Sequence, residues 1–186
     1  MRKMKCGHPR RAFNLMKDFL NTASDLEYTC EDDDCVYPIE IRLSKSEDFC
    51  AQGIDSLDEA EDGTLEIGYN FNELWDESAK IFRAYWTDKC SLLKGFADIT
   101  ISTLHELGHI ETTEEIRPNF SIQQREKVVR QLSEQYKDYR ELNYAYFALP
   151  DETAATEWAI NWLSDAENRK IAKAFEKKFF ACFTEI

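Results

Sequence analysis

The sequence predicts an α+β fold that is mostly helical, with a small sheet preceding a buried helix at residues 96–110. Three observations carry this reading. Apolar residues recur at three- and four-residue spacing through several long segments. Two short runs, Val36–Leu43 and Thr64–Phe71, alternate with the period of a strand. The apolar residues of Thr100-Ile-Ser-Thr-Leu-His-Glu-Leu-Gly-His109 mark a helix enclosed by its neighbours. At 186 residues, one domain over 1–186 with a substantial core is expected, with 1–30 as an N-terminal helical segment.

The elements follow in chain order. Ala12–Tyr28 is amphipathic, with Phe13, Met16, Phe19, Leu20 and Leu26 on one stripe, and predicts the first helix. Glu31–Asp34 is an acidic loop. In the strand that follows, Ile39, Ile41 and Leu43 face inward, and Pro38 suits a strand start or an edge. Glu47–Gly63 is polar, with Gly53 and Asp62-Gly63 as turn signals, and leads into the second strand. Asn70-x-x-Glu73 resembles a capping box for a helix of about 20 residues carrying Leu74, Ile81, Phe82, Tyr85 and Trp86. Gly95 breaks the chain before the buried helix, and Arg117-Pro118 closes the connection after it. Ser121-x-x-Gln124 is a second capping box, and Val129, Leu132, Tyr136, Tyr139 and Tyr146 predict one long helix within 119–148. Leu149-Pro150-Asp151 ends it. Asp151–Ser164 and Ala166–Phe183 are the last two helices, the latter packing Ile171, Ala174, Phe175, Phe179 and Cys182.

Composition excludes some functions. The 36 acidic against 23 basic residues give a net charge of −13, which disfavours a phosphate-binding surface and so direct nucleic-acid binding. The acidity suits solubility or a basic protein partner. No run approaches the ~20 apolar residues of a membrane span, and no apolar segment follows the basic start Met1–Lys5. A cytoplasmic protein is expected. Six cysteines are too few and too irregular for a disulfide scaffold; Cys6-x-His8 and Cys30-x4-Cys35 match no common zinc knuckle and read as thiols.

The chemistry centres on His105, Glu106 and His109, an H-E-x-x-H sequence. Two histidines four apart on a helix lie one turn apart on one face, so both imidazoles reach one Zn²⁺. Glu106, offset by about 100°, sits beside the ion, where a base that deprotonates water is needed. A catalytic zinc takes three protein ligands. Only one other histidine exists, His8, far away in a Gly-Pro-containing stretch, so the third ligand is expected to be a carboxylate. On the Asp151–Ser164 helix Glu152 is in register with Ala155, Ala159 and Leu163, whereas Glu157 lies about 140° away. Glu152 is therefore the expected ligand, and the two alanines allow its helix to approach the metal helix closely. Asp98 and Ser102 share the histidine face, either to orient His105 or as a cap and a satisfied polar residue. Tyr144 and Tyr146 are candidates for stabilising an oxyanion, or are core aromatics.

Thr103-Leu-His-Glu-Leu-Gly-His109, followed by Glu152-Thr-Ala-Ala155 and Trp158-Ala159, resembles the ImmA/IrrE family of small zinc metallopeptidases, which are Glu-liganded zincins. The resemblance implies a zincin-like fold, with Glu152 as third ligand and Glu106 as general base. It also implies an intracellular endopeptidase acting on a protein substrate, a regulator of a mobile element. Two residues depart from the family pattern: Ala154 stands for a second glutamate, and Thr156 for the Asn or Asp that orients a bound histidine. The interval between His109 and Glu152 is longer than the family's, with 119–148 inserted. These departures leave open an alternative, a catalytically weak zincin scaffold that binds a regulatory protein partner.

Overall fold

Helix dominates the residues described by the computed structural model, which are 4–24, 27–29, 36–38 and 77–185. Contacts within the chain divide it into two units, Met1–Trp75 with Asp165–Ile186, and Asp76–Ser164.

In the first unit, strand β1 (Met4–Cys6) leads into helix α1 (Pro9–Ala23). Proline at the first turn gives up an N–H that a helix start leaves unpaired anyway. The helix thus begins before the predicted Ala12 and ends before Tyr28. Met16, Phe19 and Leu20 of the expected stripe are buried, joined by Ala12, while Phe13 is half-buried and Leu26 lies outside the described residues; Phe19 stacks on Phe175 with centroids 4.4 Å apart. Phe175 belongs to the C-terminal helix Ala166–Phe180, whose N-cap Asp165 accepts from the backbone N–H groups of Glu167 and Asn168. Ala172 rather than Ala174 is buried in it. The sequence expected this helix to reach Phe183, but Phe183–Glu185 is strand β4, paired antiparallel with β1 so that Lys5 faces Thr184.

The expected sheet ahead of the metal helix is corrected here. Besides β1 and β4, the described strands are β2 (Glu27–Thr29) and β3 (Val36–Pro38), a second antiparallel pair. Each strand has three residues. Two-stranded ladders this short offer no apolar face on which a helix can pack, and among the described residues the fold is helical rather than α+β. Residues 39–43, the run 64–71, the turn region 47–63 and the capping box at Asn70 lie outside the described residues, as do Cys30 and Cys35. Cys6, Cys90 and Cys182 are free thiols. No described helix is long and apolar enough to cross a membrane.

The second unit is all helix: α2 (Glu77–Lys89), a 3₁₀ turn (Ser91–Gly95), α3 (Asp98–Glu111), α4 (Thr113–Ile116), α5 (Ile122–Gln135), α6 (Tyr139–Tyr146) and α7 (Pro150–Ser164). The C-terminal helix is α8. From Ile99 to Ile110 every residue of α3 except Glu106 is buried, so α3 is the core of this unit. It lies against α7 with almost no gap: a Cβ built on Gly108 falls 2.5 Å from the Ala155 carbonyl oxygen. Ala155 and Ala159 supply the facing flat surface, both fully buried. The Tyr85 hydroxyl of α2 donates to the Phe147 carbonyl (2.7 Å) and ties α2 to the end of α6.

The segment expected to be one long helix is two. Ser121 and Gln124 make both hydrogen bonds of the capping box that opens α5. The chain then leaves helical geometry at Tyr136, and Asp138 opens α6 by accepting from the N–H groups of Arg140 and Glu141, each at 3.0 Å. An aspartate that bonds backbone two and three residues ahead competes with helix continuation, and the tyrosine spacing concealed it.

Candidate metal centre

One turn of α3 brings His105 and His109 side by side, with Nε2 atoms 3.1 Å apart. The first turn of α7 brings Glu152, whose Oε2 lies 2.9 Å from His105 Nε2 and 3.6 Å from His109 Nε2. All three side chains are buried, Glu152 to 2% exposure. Glu157, the other carboxylate of that helix, is exposed. Three corners of a tetrahedron with bonds of about 2.0–2.1 Å are about 3.3 Å apart, and the three donor atoms match that spacing within a few tenths of an ångström. His105, His109 and Glu152 can hold a metal ion.

The His105 ring is oriented by packing and by one hydroxyl. Trp86, fully buried on α2, meets it edge-on at 4.6 Å, and Phe82 does so at 5.8 Å. Thr156 Oγ1 lies 3.4 Å from His105 Nδ1 and donates its proton to the Glu152 carbonyl at 2.8 Å. Its lone pairs therefore face Nδ1 and can accept from an Nδ1–H, the tautomer that a metal ion held at Nε2 would require. Asp98 and Ser102 do not reach the histidines. Asp98 pairs with Arg83, which also donates to the Phe96 carbonyl at 3.0 Å, while the Ser102 hydroxyl donates to the Asp98 carbonyl at 2.8 Å. His109 Nδ1 is buried with no hydrogen-bond partner among the described residues.

Glu152 uses its second oxygen differently. Oε1 accepts from Arg125 Nη2 at 3.3 Å; Arg125 Nε donates to Asp151 Oδ2 at 2.6 Å, and Nη2 also to the Tyr146 hydroxyl at 2.5 Å. Tyr146 is thus part of the site's surround. Tyr144 instead sets its ring edge-on to Tyr85 at 5.3 Å, with the Arg140 guanidinium over its face.

Charge points the same way. Burial raises the Glu106 carboxyl to about 7 against the lowering effect of His109. Burial presses down on His109, but the Glu152 hydrogen bond and charge outweigh it and raise the imidazole to about 9. Burial alone would raise Glu152, yet hydrogen bonds from both histidines hold it well below the carboxylate range; burial dominates at His105, which is lowered. When Glu106, Asp151 and Glu152 are ionised, Arg125 cancels one of their three charges and leaves −2. A divalent cation balances it; without one, the proton on His109 does part of that work.

Sequence reasoning missed Arg125, Asp151, Phe82 and Trp86 as parts of this centre. Arg125 had a signal: it lies four residues before Val129, on the half-buried stripe of α5, where a cation needs a partner. No protein-family model, curated protein or solved structure matches the chain.

Proposed function

We propose that the chain is a zinc-dependent endopeptidase that hydrolyses a peptide bond in a protein substrate within the cytoplasm. The observation that carries the proposal is the convergence of His105 Nε2, His109 Nε2 and Glu152 Oε2 at 2.9–3.6 Å on two helices whose backbones touch. Two imidazoles and one carboxylate are a donor set suited to catalytic zinc. A zinc ion held there would supply Lewis acidity to water and to the scissile carbonyl.

The remaining chemistry falls to the chain's own groups. Glu106 is the one residue of its helical stretch not fully buried, and it follows directly on a donor histidine. Burial raises its carboxyl in the metal-free protein, and a cation beside it would favour the carboxylate that a general base needs. It takes a proton from the attacking water and returns it to the leaving amine. Thr156 and the Trp86 edge hold the His105 ring in register. The resemblance of 103–109 and 152–159 to the ImmA/IrrE family supports the same activity and points to a regulatory protein of a mobile element as substrate.

One observation favours a second reading, a zincin scaffold that binds a protein partner with little turnover: among the described residues, none pairs with His109 Nδ1 as a partner that orients a metal-bound imidazole usually does. Bound zinc measured by mass spectrometry, with casein cleavage by wild type and Glu106→Gln, separates the readings. The peptidase retains about one zinc in both proteins and loses cleavage by about 100-fold or more with the glutamine. Cleavage that survives the substitution refutes the general base, and zinc without cleavage by the wild type favours the scaffold.

A further inference from the structure

We propose that Arg125, delivered by α5, is a positioning residue that occupies one oxygen of Glu152, so that the carboxylate presents a single oxygen to the metal. The inference rests on the metal-centre reading above. It also makes the interval between His109 and Glu152 a working part of the centre rather than a decoration.

The two oxygens of Glu152 are assigned to different partners. Oε2 faces both histidines at 2.9 and 3.6 Å, and Oε1 faces Arg125 Nη2 at 3.3 Å. The guanidinium is itself held from several sides: Nε to Asp151 Oδ2 at 2.6 Å, Nη2 to the Tyr146 hydroxyl at 2.5 Å, and its face over the Tyr146 ring at 5.4 Å. Asp151 and Glu152 are adjacent and each only 2% exposed, so one cation bridging both carboxylates offsets a repulsion and a desolvation that neither tolerates alone. A planar fork is pre-organised to make both bonds at once, whereas an ammonium is a point charge on a flexible stem. Helix α5 contains no fully buried residue, so packing alone does not explain why its one half-buried arginine reaches this pair.

With Oε1 occupied, the centre has three donor atoms and keeps a fourth position open. With Oε1 released, the carboxylate would be free to offer both oxygens, adding a fourth protein donor beside the open position. The test uses cobalt(II) as a visible probe, zinc affinity by chelator competition, and thermal unfolding of the metal-free protein. The double variant Arg125→Gln/Asp151→Asn removes the fork without changing net charge, so it isolates orientation from attraction. It is expected to bind zinc about 10–100-fold more weakly, and to lose about half or more of the cobalt visible absorption as coordination rises above four. Arg125→Lys keeps the charge and the fold and is expected to fall between the double variant and wild type, which a mere tether between α5 and α7 does not predict. Unchanged affinity and spectrum in both variants, with only the unfolding temperature lowered, overturns the inference and leaves Arg125 as a tether. Failure of the wild type to bind either ion removes the metal-centre reading and this inference with it.

Discussion

Gly108→Ala tests the contact on which the donor geometry depends. An ideal Cβ at this position falls 2.5 Å from the Ala155 carbonyl oxygen, 2.9 Å from its Cα and 3.0 Å from its carbonyl carbon. Ordinary contact begins near 3.4 Å, so α3 and α7 must part by about 0.9 Å in a tightly packed interior. The obstacle is helix backbone, which has no rotamer to change. Overpacking of this kind costs about 1–3 kcal/mol, and the better helix propensity of alanine returns about 1 kcal/mol. The expected net loss is about 0–2 kcal/mol in urea denaturation of the metal-free protein. Gly108 adjoins His109, and Ala155 is three residues from Glu152. The same displacement therefore opens the 2.9 Å approach of Glu152 to His105 by more than the ~0.5 Å that a binding site tolerates. Zinc affinity is expected to fall about tenfold or more, read by chelator competition. A variant about 1 kcal/mol more stable than wild type, as an unhindered helical glycine gives, would refute the close packing and the donor triangle built on it.

Thr156→Val removes the oxygen facing His105 Nδ1 and is expected to weaken zinc binding about tenfold, whereas Asp98→Asn, whose partner is Arg83, leaves affinity unchanged; chelator competition reads both. Glu152→Ala abolishes stoichiometric zinc by metal analysis and Glu157→Ala does not; the reverse result reassigns the third donor. In the metal-free protein His109 is raised from 6.5 to about 9. The folded state therefore holds this proton more tightly than the unfolded chain. That stabilisation is fully present below pH 6.5 and lost as pH rises through 9. Thermal midpoints in chelator are expected to be lower at pH 9.5 than at pH 7, and a midpoint that holds or rises contradicts the His109–Glu152 pairing.

The centre was more legible than the architecture around it, and the reason is the reach of the interactions. His105, Glu106 and His109 are related by one helical turn, a geometry that four residues determine locally. Glu152 was legible because the small residues of α7, Ala155 and Ala159, mark the side that touches α3. The sheet was not legible: alternation at Val36–Leu43 shows a strand's period but not its partners, and the described pairing joins Met4–Cys6 to Phe183–Glu185 from opposite ends of the chain. The break at Tyr136–Asp138 was local and visible in principle, but an N-cap aspartate inside a regular apolar repeat is outvoted when periodicity alone is read. Arg125 was hidden for a third reason. A charged residue on a half-buried stripe resembles an ordinary snorkelling side chain until a buried carboxylate is placed opposite it.

Taken together, these contacts show where the centre is held firmly. Among the described residues His109 has no hydrogen-bond partner on its far nitrogen, and His105 has there a hydroxyl at 3.4 Å. The carboxylate donor, by contrast, is supported by Arg125, and Arg125 in turn by Asp151 and Tyr146. A histidine rigid on a buried helix needs less outside support, because α3 is enclosed along its length and Trp86 fixes the His105 plane. A glutamate has more rotatable bonds and two equivalent oxygens, so it needs more. The chain places its polar support on the donor with the greater conformational freedom and holds the two rings largely by packing.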